Sequence, residues 1–288
     1  MDENGAVLCD ARRPLLVKDG QKGLRQSEMV FAHIKNLSEI FPEGFSGFRA
    51  VAASTRPRPV EGSYMPVFAV SESFGKAAAK SAGAAFYPLT HQHGHIGAAL
   101  LERQMQNPFL ALHVSGGTTD LLRVAVEDGI VQEILPLGGT QDIAAGQLVD
   151  RVGQALGLRF PAGPELTRLA EQGEAQAIRS YVRGCNISFS GAETAAKRFL
   201  EQGMAREDAA ASAMKCIGKT LEKLIANARE ETGIEPVLLF GGVMSSTYLR
   251  SFLNRRLSGL QFAGIKYAAD NACGLAMQAR NIYLAEGK

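Results

Sequence analysis

Apolar residues follow two different periods along the chain, which together predict a protein of mixed α/β class. Over residues 27–41 and 70–83 they recur every three or four positions, the spacing of one face of a helix. Shorter apolar runs predict strands. In the first part of the chain these runs lie at residues 6–9, 13–18, 48–53 and 85–89. The first two runs are predicted to pair as a hairpin.

The second part of the chain predicts three successive strands followed by helices and strands in alternation. The three strands lie at residues 109–115, 121–127 and 130–137, and Asp128-Gly129 between the last two is a strong hairpin turn. A helix with a buried stripe follows them, and the segment PAGPEL breaks it and starts another. The remaining predictions are strands at residues 187–190 and 236–240 and helices at residues 191–202, 206–232, 245–255 and 271–287.

The placing of two glycine pairs predicts how these segments are arranged. One pair, at residues 116–117, and another, at residues 241–242, each follow an apolar strand. They lie on either side of a β-β-β-α unit, and strands and helices alternate in both halves of the chain. This is the plan of the actin-like ATPase fold of sugar kinases, Hsp70 and actin, in which two lobes enclose a central cleft. We predict a first lobe at residues 1–107, completed by a C-terminal helix at 271–288, and a second lobe at residues 108–270.

Composition narrows the class of protein further. The chain has 288 residues, of which 46% are hydrophobic and 21% charged, enough for large apolar cores. No apolar run is long enough to cross a bilayer, and the first residues, MDENG, lack the regions of a signal peptide. The four cysteines lie far apart, without a C-x-x-C pair. We therefore expect a soluble, cytoplasmic protein with reduced thiols, whose net charge of +2 permits a nucleic-acid partner without requiring one.

Three histidines lie in the segment HQHGHIGAALL, which is predicted to be helical. Residues four apart on a helix lie about 40° from each other, so His91 and His95 present their imidazoles on one side. His93 lies on the opposite side. Two imidazoles at this spacing are a candidate metal-binding pair, but the same spacing also occurs by chance in surface and core pairs. The residues alone leave both interpretations open.

The turn at residues 115–118 is a candidate phosphate-binding site. A strand, a Gly-Gly-Thr turn and an antiparallel return strand place backbone N–H groups and hydroxyls around a concavity that suits phosphate oxygens. Glycine lets the phosphate approach the backbone. An ordinary hairpin turn is the simpler alternative. A second candidate site for an anion or nucleotide lies at Gly241 and Gly242, because a strand precedes this pair and a helix N-terminus follows it.

Two carboxylates have both a structural and a functional interpretation. Asp150 lies within a predicted helix, where a carboxylate is usually solvated or paired, yet it follows the phosphate turn closely enough to hold a ligand. Asp270 directly precedes the last predicted helix, where it can cap the helix N-terminus. The sequence by itself does not choose between these roles.

Several motifs, in order and with matching gaps from about Gly23 to Gly287, resemble the TsaD/Gcp/YgjD family, the tRNA threonylcarbamoyladenosine transferases once labelled O-sialoglycoprotein endopeptidases. HQHGH resembles the family's H-x-E-G-H, and LHVSGGTTDL its L-x-V-S-G-G-H-T-x-L. GGTQDIAAGQLVDRVGQALGL and PAGPEL resemble its G-E-T-x-D-D-A helix and its P-G-G-P turn. CNISFSGAETA, LLFGGVMSSTYLR and AADNACGLA resemble three further family motifs. The ordered set is far more specific than any single motif.

The resemblance implies an activity, ligands and partners. The activity is transfer of a threonylcarbamoyl group from its adenylate to the exocyclic amine of the adenosine beside a tRNA anticodon. It implies one divalent metal ion, iron or zinc, with open positions that bind carbamoyl or phosphate oxygens. The implied nucleotide is ATP or the threonylcarbamoyl-adenylate. The implied partners are tRNA, the adenylate donor and helper proteins of the same pathway, with no membrane.

The resemblance also implies a role for individual residues. His91, His95 and Asp270 would hold the metal ion. Asp150 and Gly163 would contact the ribose and the base, and Ser246 takes the place of a nucleotide-contacting Asn. The nucleotide phosphates would be lined by Val114, Ser115, Gly116, Gly117 and Thr118.

The chain departs from the family pattern in ways that identify it as a divergent member. His93 replaces an acidic residue, Thr118 a His, Gly139 a Glu and Ser246 the Asn. Family members also begin with a strand and a phosphate-binding G-I-D-T-S-type loop, and this sequence starts after that loop. We therefore expect either that the true start lies upstream of Met1 or that the first lobe is incomplete at its N-terminus.

Three functions remain as alternatives. The first is the metal-dependent transferase. The second is a catalytically inactive, metal- and nucleotide-binding paralogue that acts as a partner protein, which Ser246 and the missing loop favour. The third, another phosphotransferase of the same fold class, is weakest because such enzymes do not need the H-x-x-x-H pair. A peptidase is disfavoured because the chain has no H-E-x-x-H motif.

Overall fold

The computed structural model describes residues 1–15, 24–41, 47–268 and 270–287. Its helices are α1 (Gln26–Ile40), α2 (Phe68–Ala82), α3 (His91–Leu100), α4 (Ala145–Ala155), α5 (Gly163–Ala170), α6 (Ser190–Glu201), α7 (Arg206–Thr232), α8 (Thr247–Asn254), α9 (Ile265–Ala268) and α10 (Cys273–Ala285). A 3-10 helix at Gly242–Ser245 precedes α8. The strands are β1 (Ala50–Arg56), β2 (Ala85–Thr90), β3 (Phe109–Val114), β4 (Thr119–Glu127), β5 (Ile130–Thr140), β6 (Tyr181–Arg183), β7 (Asn186–Ser188), β8 (Val237–Phe240) and β9 (Leu260–Phe262).

The chain divides into two compact units. The first comprises Met1–Glu102, Val126–Gln132 and Asp270–Lys288, and the second comprises Arg103–Ala125 and Glu133–Ala269. The lobe boundaries predicted from sequence differ from this division mainly at residues 126–132, the tip of the β4–β5 hairpin, which packs with the first unit. None of the helices in the described ranges combines the length and the apolar character that a bilayer crossing requires.

In the first unit, β1 and β2 form a parallel pair that starts with Ala50 opposite Ala85. The hairpin tip is held to α10 by the amide of Gln278, a fully buried side chain. Its Oε1 accepts from the N–H of Val131 at 2.8 Å, and its Nε2 donates to the carbonyl of Gly129 at 3.0 Å. Both polar atoms of this buried amide are hydrogen-bonded, so its burial leaves no polar group unpaired. The amide therefore holds the hairpin tip in one position against α10.

The described part of the second unit is built on a seven-stranded sheet in the order β6-β7-β5-β4-β3-β8-β9. Strands β3 and β8, the fifth and sixth in this order, pair in parallel with Leu110 opposite Val237, and every residue of both strands is buried. Their sequences, FLALHV and VLLF, are continuous apolar runs apart from His113, as a strand covered on both faces requires. One of the two glycine pairs follows the end of each of these strands.

The order of most elements agrees with the prediction, but the N-terminus differs. Residues 6–9 form no strand, so the predicted hairpin is wrong there, and the second predicted run, residues 13–18, extends outside the described residues. A short apolar run without a paired neighbour has no ladder to join. Helix α1 begins at Gln26, where the N–H of Arg25 donates to the Glu28 carboxylate at 2.8 Å.

Candidate metal and nucleotide sites

Three side chains of the first unit converge on one point. The Nε2 atoms of His91 and His95 lie 3.1 Å apart. The Oδ1 atom of Asp270 lies 3.1 Å from Nε2 of His95 and 3.6 Å from Nε2 of His91. His95 is buried, whereas the Asp270 side chain is 79% exposed, so the cluster has one face in the protein and one open to solvent.

The convergence depends on close packing between α3 and the start of α10. A Cβ atom added at Gly97 would overlap the carbonyl of Gly274, and one added at Gly274 would overlap the backbone of Gly94 and Ala98. Glycine at these positions lets the two backbones approach more closely than side chains would permit. The sequence pattern of HQHGHIGAA and CGLA therefore fixes where the residues just before α10 lie, and Asp270 is one of them.

The donor set and its spacing fit a metal ion. Two ligands bound about 2.1 Å from one ion lie roughly 3.0–3.5 Å apart at angles between octahedral and tetrahedral values. The three ligand atoms all lie within 4.8 Å of one another. Burial, reinforced by the neighbouring His95 and opposed by Asp270, lowers the pKa of His91 to about 4. His91 is therefore neutral at pH 7, the form that offers a lone pair to a metal.

Two neighbouring residues have structural roles that the sequence left open. His93 does not join the cluster: its Nδ1 lies 2.6 Å from the hydroxyl of Thr90, which also caps α3 by accepting from the His93 N–H. Helix α10 begins at Cys273, whose N–H donates to Oδ1 of Asn271 at 3.0 Å, and its N-cap position is Ala272. Asp270 lies two residues before that position and contacts the two imidazoles.

The turn at residues 115–118 of the second unit leaves two backbone donors available. Ser115 N–H donates to the Thr118 carbonyl at 2.8 Å, and Thr118 N–H donates to the Ser115 hydroxyl at 3.2 Å. The N–H groups of Gly116 and Gly117 donate to no acceptor within the described residues. Neither glycine has a left-handed φ, and a Cβ at either would meet nothing within 4 Å. Since neither packing nor backbone conformation of the protein demands glycine here, the turn is suited to a ligand that approaches the amides closely.

A closed series of contacts, the contact circuit, runs from this turn through α4, α5 and the start of α8 back to the end of β3. Its first half joins the turn to Asp150 and Gly163. The carbonyl of Ser115 accepts from the N–H of Gly146, at the start of α4, at 3.2 Å. One turn further along α4, Oδ1 of Asp150 accepts from the N–H of Ala162 at 2.9 Å. Ala162 directly precedes Gly163, the first residue of α5. Burial raises the pKa of Asp150, and the Ala162 bond opposes that rise.

The second half of the contact circuit returns from α5 to β3. The hydroxyl of Thr167 donates to the hydroxyl of Ser246 at 3.0 Å, and Ser246 also caps α8 by accepting from the N–H of Leu249. The 3-10 helix leads back from Ser246 to Gly241, whose φ of +101° favours glycine and whose Cβ would overlap the carbonyl of Val114. The predicted nucleotide-binding residues thus lie around one closed circuit in the second unit.

Sequence reasoning missed two members of this circuit. Gly146 is needed because a Cβ there would overlap the Ser115 carbonyl and the Gly116 backbone. Thr167 holds the Ser246 hydroxyl although nothing in its own segment, GPELTRLA, marks it as functional.

Comparison with solved structures shows the fold. The crystal structure of HypF from T. kodakarensis superposes on 90% of this chain and 43% of its own, with a TM-score of 0.64 and 12% sequence identity. Full-length HypF in a phosphate- and nucleotide-bound form gives a TM-score of 0.61 at 14% identity, covering 90% and 41% of the two chains. The predicted fold class, the two-lobe α/β fold of actin-like ATPases, is confirmed.

Comparison with curated sequences shows the family. A tRNA N6-adenosine threonylcarbamoyltransferase from Sulfurihydrogenibium sp. is 34% identical over 226 residues, which cover 74% of this chain and 66% of that protein. The relative of the same name from Corynebacterium diphtheriae is 31% identical over 277 residues, covering 87% and 77%, and that from Syntrophotalea carbinolica is 36% identical over 233 residues, covering 76% and 67%. Residues 45–277 match the family model described as TsaD, tRNA N6-adenosine threonylcarbamoyltransferase. The chain spans about two thirds of the length of the first of these relatives, and it belongs to the TsaD family.

Proposed function

We propose that this protein transfers a threonylcarbamoyl group from its adenylate to the exocyclic amine of the adenosine beside a tRNA anticodon. Family membership and the names of the relatives support this activity, with tRNA as the acceptor. The single structural observation that carries the proposal is the convergence of His91, His95 and Asp270, because a phosphotransferase of the same fold needs no such cluster.

The nucleotide part of the donor is proposed to bind the contact circuit of the second unit. The free N–H groups of Gly116 and Gly117 would donate to its phosphate oxygens, as backbone nests do for anions. Asp150 keeps Oδ2 available when Oδ1 accepts from Ala162, and this oxygen would accept from ribose hydroxyls. The Ser246 oxygen already accepts from Thr167 and Leu249, so its remaining contribution is its own proton, donated to the nucleotide.

The transfer forms a C–N bond and breaks a C–O bond and an N–H bond. The exocyclic nitrogen of adenosine attacks the carbamoyl carbonyl carbon, the bond from that carbon to the adenylate phosphate oxygen breaks, AMP leaves with the bonding electron pair, and the proton released by the nitrogen passes to water. His91, His95 and Asp270 would hold one divalent ion, which when bound supplies positive charge to oxygens that become negative during transfer. The neutral imidazole of His91 suits this role because it ligates without adding charge of its own.

Iron is the proposed metal. Two histidines and one carboxylate leaving open positions are the ligand set of non-haem Fe(II) sites. Zinc uses the same donor types in catalytic sites, so metal analysis of protein purified without added metal, followed by reconstitution with Fe(II) or Zn(II), decides between them.

The activity is tested by direct assay. The purified chain is incubated with unmodified tRNA and freshly made threonylcarbamoyl-adenylate, with and without helper proteins from the same source, and the nucleosides are analysed by mass spectrometry. We expect threonylcarbamoyladenosine in the tRNA and none with the doubly substituted His91→Ala/His95→Ala protein. Tight nucleotide and metal binding without product under every condition would favour the inactive paralogue acting as a partner protein.

A further inference from the structure

We propose that a basic pocket between α7 and α8 binds the phosphodiester backbone of an RNA strand. This α7–α8 pocket has a volume of about 510 Å³ and is lined by Lys215 from α7, Tyr248, Phe252, Arg255 and Arg256 from α8 and its C-terminus, and Gly173 and Ala175 from the loop after α5. None of these residues belongs to the metal cluster or to the contact circuit described above. That the strand is tRNA rests on the proposed function.

The charge of the pocket selects anions. Three cationic side chains line it, and the lining residues within the described part of the chain include no carboxylate. Arg256 lies 3.6 Å from the Glu222 carboxylate, outside the lining. Lys215 and Arg255 form no ion pair with any described residue, so their charges remain uncompensated. Uncompensated cations in a concave site raise the local concentration of anionic ligands.

The shape of the positive surface favours a polymer over a small anion. Lys219 and Lys223 continue from Lys215 along α7 at intervals of four residues, a rise of about 6 Å each. Both are exposed, and the ammonium of Lys223 donates to the hydroxyl of Ser180 at 2.9 Å. A row of cations leading out of a pocket matches a chain of phosphates, whereas a single phosphate would be satisfied within the pocket.

The pocket also offers a platform for a base. The guanidinium of Arg256 lies over the ring of Phe252, with Cζ 3.8 Å from the ring centroid. The Arg256 side chain remains 38% exposed, so the guanidinium is fixed from below and accessible from solvent. RNA bases stack on guanidinium planes of this kind. The Tyr248 hydroxyl, which meets no acceptor in the described residues, adds a donor for a phosphate or a 2′-hydroxyl.

The test compares two doubly substituted proteins with the same change in net charge. Lys215→Ala/Arg255→Ala removes the two uncompensated cations of the pocket, and Lys80→Ala/Arg198→Ala removes two exposed cations from α2 and α6 as the control. Binding of fluorescent tRNA is measured by anisotropy from about 50 to 200 mM KCl. We expect the pocket variant to bind about tenfold or more weakly and its slope of log K against log salt to fall by about two, with the control slope unchanged.

Competition measurements identify the ligand. Unlabelled single-stranded RNA should displace the tRNA, whereas inorganic phosphate and AMP at equal phosphate concentration should not. The proposal is overturned if the pocket variant binds tRNA with the slope of the unsubstituted protein, or if polyglutamate competes as well as RNA, which would make the pocket a site for acidic protein segments. If Lys215→Ala lowers the midpoint of thermal unfolding, the test is made with Arg255→Gln alone, because Arg255 is exposed. The expected change in the salt slope is then about one.

These outcomes remain distinct from those of the proposed function. Binding is measured without the adenylate, so a pocket effect in a protein that forms no threonylcarbamoyladenosine would support the pocket and contradict the transferase. Product formation with an unaltered KM for tRNA in the pocket variant would support the transferase and contradict the pocket.

Discussion

Nε2 of His95 lies 3.1 Å from Oδ1 of Asp270, although one residue belongs to a helix near the middle of the first unit and the other precedes the last helix of the chain. The contact joins a buried imidazole to a carboxylate that is mostly exposed. Without an ion, a pair in which one partner is mostly exposed to solvent contributes little to stability. Its value therefore lies in the site that it completes with His91.

Metal content should depend on the two facing histidines and not on the third. We expect His91→Ala/His95→Ala to lose the bound metal while retaining its circular dichroism spectrum, because two of three ligands are removed. His93→Gln, which keeps a polar group beside Thr90, is the matched control and should retain metal. Elemental analysis of each purified protein measures this, and equal metal in both variants would exclude the site.

The close crossing of α3 and α10 should be necessary for the same site. Gly274→Ala introduces a methyl group into the backbone of Gly94 and Ala98, so the helices must separate. We expect a loss of about 1–3 kcal/mol in unfolding free energy and weaker metal binding, since Asp270 moves with α10. Gly191→Ala on α6, where a Cβ meets nothing within 4 Å, should change neither quantity. Urea unfolding and metal titration check the two expectations.

Substitution of Gly117 should separate ligand binding from folding. A Cβ on Gly117 would meet no atom within 4 Å, so the unfolding free energy of Gly117→Ala should lie within about 0.5 kcal/mol of that of the unsubstituted protein. The same methyl group would hold phosphate oxygens away from the turn, and nucleotide affinity should fall at least about tenfold. Isothermal titration with ATP and with AMP measures the loss. An unaltered affinity would return the turn to an ordinary hairpin connection.

Asp150 should show two separable roles. Asp150→Ala leaves the N–H of Ala162 without its acceptor and should cost about 1–3 kcal/mol of stability as well as nucleotide affinity. Asp150→Asn retains an oxygen for Ala162, so it should keep most of the stability while losing the carboxylate that we propose for the ribose hydroxyls. Denaturant unfolding and nucleotide titration of both variants test this. Full nucleotide affinity in both would assign Asp150 to the α4–α5 connection alone.

Asp142 should make stability depend on pH in the acid range. Partial burial alone would raise the pKa of Asp142, but hydrogen bonds from Ser188, Phe189 and Ser190 hold it well below its usual value. A depressed folded-state pKa stabilises the protein above the unfolded pKa of about 4, and that stabilisation is lost as the pH falls further.

Asp142→Asn should therefore lower the unfolding free energy by about 1–2 kcal/mol at pH 7, after allowance for solvent screening of an exposed group, and by less at pH 3. Glu127→Gln, at an exposed position of β4, is the control and should show no such dependence. An equal difference at both pH values would show that the charge of Asp142 is irrelevant.

Local rules predicted the helical part of the site, and tertiary contacts decided the rest. The His91 and His95 spacing follows from the helical period alone, as does the exclusion of His93. The position of Asp270 depends on glycine-mediated packing between α3 and α10, which no local pattern specifies. Sequence reasoning therefore left capping and ligation open, and the structure places Asp270 beside the two imidazoles. The apolar run at residues 6–9 was misassigned because pairing, and not apolarity, makes a strand.

The contact circuit of the second unit could likewise be predicted from the sequence only in part. The strand ends and glycine pairs were predictable because buried runs and glycines are visible in the sequence. Thr167 was not, because its role depends on the distance between α5 and the start of α8, a property of how the second unit packs.

The buried Gln278 amide, which bonds both Val131 and Gly129, has a practical consequence for anyone dissecting the molecule. The polypeptide passes from one unit to the other at residues 102, 125, 132 and 269, so neither unit is encoded by an uninterrupted stretch of its gene. A fragment cloned as residues 1–102 would lack both the tip of the β4–β5 hairpin and α10, which are hydrogen-bonded to each other. Expression trials should therefore keep residues 126–132 and α10 in the same polypeptide.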